Sequence, residues 1–180
     1  GWINKGIMLS NNKKHKEALK SFEKAIEINP ENYSAWNNKG VQYSELKIYD
    51  QAIKAYEKAI EIKPKNTLAN SNLTELFINL GDIKTASKKN EETLKVDNDS
   101  SLAHFFKGKI KIEEKKYDEA GESFQKAISL YYGNPKFFLW HAYANYLKTE
   151  FSLNLKDKKH VRNKRYQEEI SSIIRELEKA

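Results

Sequence analysis

The sequence predicts an all-α fold, a solenoid of antiparallel helix pairs. The first observation is that seven kinds of residue recur at a step of 34 residues. They are Trp2, Gly6, Leu9, Ala18, Phe22, Ala25 and Pro30, and then Trp36, Gly40, Tyr43, Ala52, Tyr56, Ala59 and Pro64. The second observation is that 180 residues contain only 7 Gly and 3 Pro, so few positions interrupt a helix. Self-similarity at this period is typical of stacked helical hairpins.

The residues up to Pro30 predict the first pair of helices. Trp2, Gly6 and Leu9 are four and three residues apart, so they share one face of a helix. A glycine inside a helix costs about 1 kcal/mol relative to alanine. Its recurrence therefore indicates that a partner helix approaches closely at Gly6. A second helix is predicted from about His15 to Ile28, because Pro30 disfavours helical geometry in the residue before it.

The second unit repeats this pattern, with helices predicted from about Tyr33 to Leu46 and from about Tyr49 to Ile62. The third unit keeps the length of the repeat but not its residues. Asn70 replaces the tryptophan, Thr74 replaces the glycine, and Asn90 replaces the aromatic residue of the second helix. We therefore expect a third hairpin that is weaker than the second.

The fourth unit recovers the pattern at Gly108 and Phe124, but its proline is delayed. A fifth helix is predicted from Pro135 to Glu150, then a polar connection from Phe151 to Lys159, then a capping helix from about His160 to Lys179. The last helix has an apolar stripe at three- and four-residue steps, as the end of a repeat array requires. The predicted repeats are 1–32, 33–66, 67–100 and 101–134, and 135–180 is a degenerate fifth pair with the capping helix.

Composition limits the classes of function. Lys+Arg number 32 and Asp+Glu number 25, which gives a formal net charge of +7. This charge permits acidic partners without requiring them. The sequence has no cysteine, which excludes a thiolate nucleophile and a disulfide framework and fits a cytoplasmic protein. No apolar run approaches the roughly 18 residues that span a bilayer. Since the first residue is not Met, we expect a fragment of a longer protein.

The sequence shows no catalytic, metal-binding or cofactor-binding set. The histidines form no His-x-x-x-His pair, and no glycine-rich phosphate loop is present. They are scattered along the chain as His15, His104, His141 and His160. We therefore predict that the chain is not an enzyme and takes no metal or cofactor.

The recurring residues resemble the tetratricopeptide repeat. That family has a large residue, a glycine and an aromatic residue on the first helix, Ala-aromatic-Ala on the second, and then a proline. The resemblance covers residues 1–134 and is strongest in the first two units. It implies a right-handed superhelix whose first helices line a concave groove that binds an extended segment or a helix of another protein. Lys5, Lys39 and Lys107 depart from the family, which has an aliphatic residue there. Their stems can pack while the ammonium groups reach water.

The predicted binding face is the side of each first helix that lies away from the Trp/Gly/aromatic stripe. Asn4, Asn38 and Asn72 are 34 residues apart and should form a column of amides, which offer both donors and acceptors to a peptide backbone. The alternative is that they simply face water. At the next step, Phe105 and Phe106 are either an apolar anchor or core residues of a neighbouring hairpin. The candidate binding residues are Asn4, Ile7, Asn37, Asn38, Val41, Asn72, Glu75, Phe105, Phe106 and Lys109.

The main hypothesis is a non-enzymatic scaffold that binds another protein. One alternative is the substrate-recognition arm of a larger enzyme. Another is self-association through a packing edge at Trp2 and Phe22. A third is a nucleic-acid or membrane-surface binder that uses the basic segment Lys156–Arg165. A run of charge is usually a solvated helix face, and no aromatic stacking platform accompanies this one. We therefore expect neither nucleic acid nor membrane as a partner.

Overall fold

A computed structural model describes residues 1–156, and for residues 153–156 it describes the backbone only. This part of the chain is helical throughout and contains no strand, which confirms the predicted all-α fold of antiparallel helix pairs. Its helices are α1 Trp2–Asn11, α2 His15–Ile28, α3 Tyr33–Glu45, α4 Tyr49–Ile62, α5 Thr67–Asn79, α6 Ile83–Val96, α7 Ser101–Glu113, α8 Tyr117–Leu130 and α9 Pro135–Lys156.

Side-chain caps start the first helix of each later hairpin. Asn32 accepts a hydrogen bond from the backbone N–H of Ala35 at 3.1 Å, before α3. Asn66 caps α5 in the same manner, and Ser100 caps α7. The three caps are 34 residues apart, so the repeat in sequence includes the helix start signals. Each cap satisfies one of the backbone donors that a helix leaves unpaired at its N-terminus.

The turns between the two helices of a hairpin also repeat. Each turn contains one residue with a φ near +60° to +77°. This residue is Lys13, Lys47, Gly81 or Lys115. The following N–H then donates back across the turn, as Ile48 does to the carbonyl of Tyr43 at 2.8 Å. Only Gly81 adopts this left-handed conformation without steric cost.

The helices fall into two compact units, Gly1–Asn98 and the residues from Asp99 onward. In the first unit, which we call unit 1, three hairpins pack side by side. Its first helices α1, α3 and α5 contact one another in order, and each second helix contacts the next first helix. In the other unit, unit 2, α7 and α8 form a hairpin and α9 packs mainly against α8.

A ring seated on a glycine forms the core of three hairpins. A Cβ on Gly6 would lie 2.5 Å from the ring of Phe22, and a Cβ on Gly40 would lie 2.7 Å from the ring of Tyr56. Gly108 stands in the same relation to Phe124. Real Cβ atoms do not approach rings this closely, because protein interiors are already close-packed. The prediction that a partner helix approaches closely at Gly6 is therefore confirmed.

Two expectations at the ends of the repeat array need correction. Phe22 is not exposed at an edge but fully buried, because Gly6 lets its ring lie against α1. The polar connection predicted to begin at Phe151 is wrong over its first part, because α9 continues to Lys156. Nothing in this stretch breaks a helix, and the Phe151 ring packs edge-on against Tyr117 at 5.7 Å. The predicted capping helix lies outside the described residues.

A search of residues 1–156 finds no helix long and apolar enough to cross a bilayer. In the same part of the chain, no group of three or more His, Asp and Glu side chains is placed to hold a metal ion.

Candidate binding face

The candidate site is one face of unit 1, which we call the amide face. Its residues lie on α1, α3 and α5 at three- and four-residue spacings, opposite the Trp/Gly/aromatic stripe. They are Asn4, Ile7, Asn38, Val41, Glu45, Asn72 and Glu75. Asn4, Ile7 and Glu45 are exposed, and the other four are half-buried. The face is therefore accessible along all three helices.

Two of the predicted amides are oriented by contacts within the protein. The Nδ2 group of Asn38 donates to the backbone carbonyl of Ser34 at 2.8 Å, one turn earlier in α3. A backbone carbonyl only accepts, so the nitrogen end of this amide must face it. Asn72 donates from Nδ2 to the Oδ1 atom of Asn37 at 2.9 Å. The structure thus pairs Asn72 with Asn37, which is buried, rather than with Asn38.

A residue that sequence reasoning missed connects three helices beside the amide face. Gln42 is only 1% exposed. Its Nε2 group donates to Ser10 Oγ of α1 at 2.9 Å, and its Oε1 atom lies 2.9 Å from Nδ1 of His15, the first residue of α2. One signal could have revealed it. Leu76, at the same repeat position, is apolar and buried, so an amide at Gln42 needs partners.

The lysines of α1 and α3 lie on the opposite face. The Lys39 ammonium is 3.2 Å from the carboxylate of Glu23 and lies over the rings of Trp36 and Tyr43, at 5.5 and 5.6 Å from their centroids. Lys5 lies over the ring of Trp2 at 5.0 Å. The aliphatic stems therefore pack against the aromatic stripe, as the repeated lysine at this position led us to expect.

Two carboxylates lie on the same side of α3 and α5. Burial raises the pKa of the Tyr56 phenol, and the negative charges of Glu75 and Glu45 raise it further. Both carboxylates must therefore lie near one end of this ring. Glu45 follows Val41 by four residues, one helical turn along the amide face.

Phe105, Phe106 and Lys109 belong to the core of unit 2. All three are buried. The Phe105 ring stacks on Phe137 of α9 at 5.0 Å and lies 5.4 Å from the ring of Phe106. The Lys109 ammonium lies 4.7 Å from the ring centroid of Trp140. These rings follow the interpretation that placed them against a neighbouring helix, and a binding role for them would require this core to open.

Of the predicted binding residues, the structure brings together Asn4, Ile7, Asn38, Val41, Asn72 and Glu75 on the amide face. Asn37 supports that face from below as the partner of Asn72. The basic segment predicted as an alternative site runs beyond Lys156, and that part lies outside the described residues.

Comparison with known proteins points to one repeat family. A sequence model of the tetratricopeptide repeat matches residues 1–32 and 33–66, and a second model of the same repeat matches residues 102–134. No curated protein matches the chain.

Many solved structures are similar in fold. A thermophilic tetratricopeptide repeat protein from Thermus thermophilus matches with a TM-score of 0.72 and 16% identity over 95% of this chain and 96% of that one. PilF of Pseudomonas aeruginosa matches with a TM-score of 0.73 and 21% identity over 84% of this chain and 69% of that one. MamA from Desulfovibrio magneticus RS-1 matches with a TM-score of 0.65 and 16% identity over 99% of this chain and 93% of that one. At these identities the likeness shows the fold alone.

Proposed function

We propose that this chain, which belongs to the tetratricopeptide repeat family, is a non-enzymatic scaffold that binds a segment of another polypeptide along the amide face of unit 1. The family fold supports protein–protein interaction in general. The observation that carries the finer proposal is the mixture of exposed amide and aliphatic side chains on adjoining helices. Asn4 and Ile7 are exposed on α1, and Asn38 and Val41 are half-buried beside them on α3.

The contacts beneath the amide face support binding without rearrangement. Gln42 ties α3 to α1 through Ser10, and the amide pair of Asn37 and Asn72 ties α3 to α5. A partner that docks on a face already held in place does not need to order it, and this reduces the free-energy cost of association. Aliphatic side chains such as Ile7 would contribute by leaving water, and the amides by pairing with the backbone of an extended or helical segment.

A matched pair of variants tests this proposal. Ile7→Lys places a charge in the amide face, and Ile48→Lys places the same charge on the turn before α4. Ile7 is 40% exposed and Ile48 is 44% exposed, so neither change should unfold the chain. Affinity capture from a lysate of the source organism, read by mass spectrometry, should recover the same protein with the wild type and with Ile48→Lys. Ile7→Lys should lose it. Equal capture by all three proteins would contradict binding at the amide face.

Self-association is a second candidate, and one observation favours it. Trp2 is 41% exposed and lies beside a cleft of about 430 Å³ between α1 and α2. Leu9 and the stems of Lys5 and Lys20 line the same cleft, so it presents apolar and charged groups together. Sedimentation of the wild type and of Trp2→Ser at several concentrations tests this candidate. A wild type that remains monomeric at the highest concentration would contradict it.

A further inference from the structure

We propose that the segment bound by the amide face is basic, with Lys or Arg side chains between aliphatic residues. The inference rests on the proposed function and specifies the chemistry of the partner. It draws on three properties of the face: the sign of its charges, the orientation of its amides and the position of Glu45.

The first property is the distribution of charge on the first helices of unit 1. Together, α1, α3 and α5 carry four charged residues, Lys5, Lys39, Glu45 and Glu75. Both lysines are held against aromatic rings on the opposite face. The charges that remain on the amide face are carboxylates. In a chain with a net charge of +7, a face without cations is a departure from the overall composition.

The second property is the direction of the amides. Asn38 uses its nitrogen to donate to the Ser34 carbonyl, so its Oδ1 atom remains to accept from a partner. Asn72 uses its nitrogen on Asn37 in the same way. The face therefore presents oxygens, which accept hydrogen bonds, more than it presents donors. Backbone N–H groups, ammonium groups and guanidinium groups are the donors that match it.

The third property is the exposure of Glu45. Its carboxylate is exposed one turn beyond Val41. Glu75 lies on the same side of the helices and already makes an interaction within the protein. Glu45 is therefore the carboxylate on which the test depends.

The overall positive charge of the chain opposes this preference at long range, but only weakly in physiological salt. Interactions between exposed charges are largely screened beyond about 8 Å at that ionic strength. Carboxylates in direct contact with the bound segment are screened less, so the local sign of the amide face decides the preference.

The experiment titrates the whole chain against three fluorescent 12-residue synthetic peptides by polarisation. The peptides share the same leucine positions and carry Lys, Gln or Glu at all others. We expect the Lys peptide to bind most tightly and the Glu peptide least tightly. Glu45→Gln should weaken the Lys peptide by about two- to five-fold, since an exposed ion pair contributes at most about a factor of five. Glu45→Lys should weaken it further and improve binding of the Glu peptide.

The control is Glu57→Gln, which removes an equal charge from an exposed position on α4. It should leave the affinity for the Lys peptide unchanged. An equal loss with Glu45→Gln and Glu57→Gln would mean non-specific charge attraction and would overturn the inference. Equal affinities for all three peptides, with binding still abolished by Ile7→Lys, would overturn the basic preference while leaving the amide face as the binding site. Failure of all three peptides to bind would also overturn the inference, whereas the capture experiment tests the face itself.

Discussion

The second and third hairpins of unit 1 have the same length but different cores. In α3–α4, the buried ring of Tyr56 lies on Gly40. In α5–α6, the same two positions hold Asn90 and Thr74, which are buried as well. Within the described part of the chain, the hydroxyl of Thr74 has no hydrogen-bond partner. One hairpin thus has an apolar ring where the other has polar groups.

The difference shows that the glycine and the ring act as a coupled pair. A side chain in place of Gly40 would clash with the Tyr56 ring, so a large second residue requires the smallest first one. Where the ring is absent, a threonine fits. The two hairpins fill comparable space with small plus large and with medium plus medium residues. The repeat length, the caps and the remaining apolar residues, such as Leu73 and Ala86, keep the third hairpin folded.

The largest expected effect comes from removing the ring. Tyr56→Asn gives the second hairpin the residue of the third while Gly40 stays in place. It should lower the free energy of unfolding by about 3–5 kcal/mol, because a buried aromatic side chain is lost and a cavity remains. Urea denaturation followed by circular dichroism measures this loss. An effect below about 1 kcal/mol would show that the site collapses around the smaller residue.

The reverse change overfills the second hairpin. Gly40→Thr should destabilise the chain by about 1–3 kcal/mol, because the Tyr56 ring must move. Gly40→Thr combined with Tyr56→Asn reproduces the pair found in the third hairpin. The double variant should be more stable than the sum of the single losses predicts, by about 0.5–3 kcal/mol. Strict additivity in the same denaturation experiment would contradict the coupling.

The second hairpin also differs from the third at the position of Gln42, where the third has Leu76. Gln42→Leu should cost about 1–3 kcal/mol, because the hydroxyl of Ser10 and the ring of His15 lose their buried partner. Combining it with Ser10→Ala should recover part of this loss. If the double variant is no better than Gln42→Leu alone, the Ser10 contact does not contribute.

The third hairpin should gain stability when it receives the common pair. Thr74→Gly with Asn90→Phe restores a ring on a glycine, and we expect a net gain of about 1 kcal/mol from burial of the ring. The gain is modest because the interactions of Asn90 are lost and the new glycine lowers helix propensity. Asn90→Phe alone should instead destabilise, since Thr74 remains beneath the ring. Thermal unfolding distinguishes the two outcomes.

The smallest effect concerns the start of the second helix in each hairpin. Asp82 caps α6, whereas no side chain caps α4. Hydrogen bonds from the side chain and backbone N–H of Thr85 hold the pKa of Asp82 below its ordinary value. The cap therefore stabilises the folded state above the pKa of the unfolded chain, and this contribution is lost as the pH falls through the lower folded pKa.

The control for this pH effect is Asp82→Asn, which keeps an oxygen acceptor but does not titrate. Urea denaturation between pH 6 and pH 3 should show a slightly steeper loss of stability in the wild type than in Asp82→Asn. Identical slopes would show that the capping carboxylate does not contribute.

Much of the fold was predictable from local and periodic information. The bounds predicted for the second helices of the first two hairpins, His15–Ile28 and Tyr49–Ile62, agree with the structure. They were readable because a proline follows each helix, and because a proline disfavours helical geometry in the residue before it. The close packing at Gly6 was readable because a glycine within a helix needs a reason to recur.

The candidate site was only partly predictable. Helical spacing placed Asn4 and Asn38 on one face, as the structure has them, and their role in binding stays a prediction. Spacing did not reveal that Asn72 pairs with Asn37, or that Gln42 joins three helices. These contacts depend on the offset between neighbouring helices, which the residues of one helix do not encode.

By itself, the sequence determined the helical hairpins, their 34-residue step and the glycine–ring pairs, because periodicity and turn chemistry are properties of short segments. Only the tertiary structure decided which side chains are covered. It buried Phe22 and Phe105, extended α9 through the predicted connection, and oriented the Asn38 amide. The physical reason is that burial and hydrogen-bond direction depend on neighbours distant in sequence, so the spacing along one helix leaves them open.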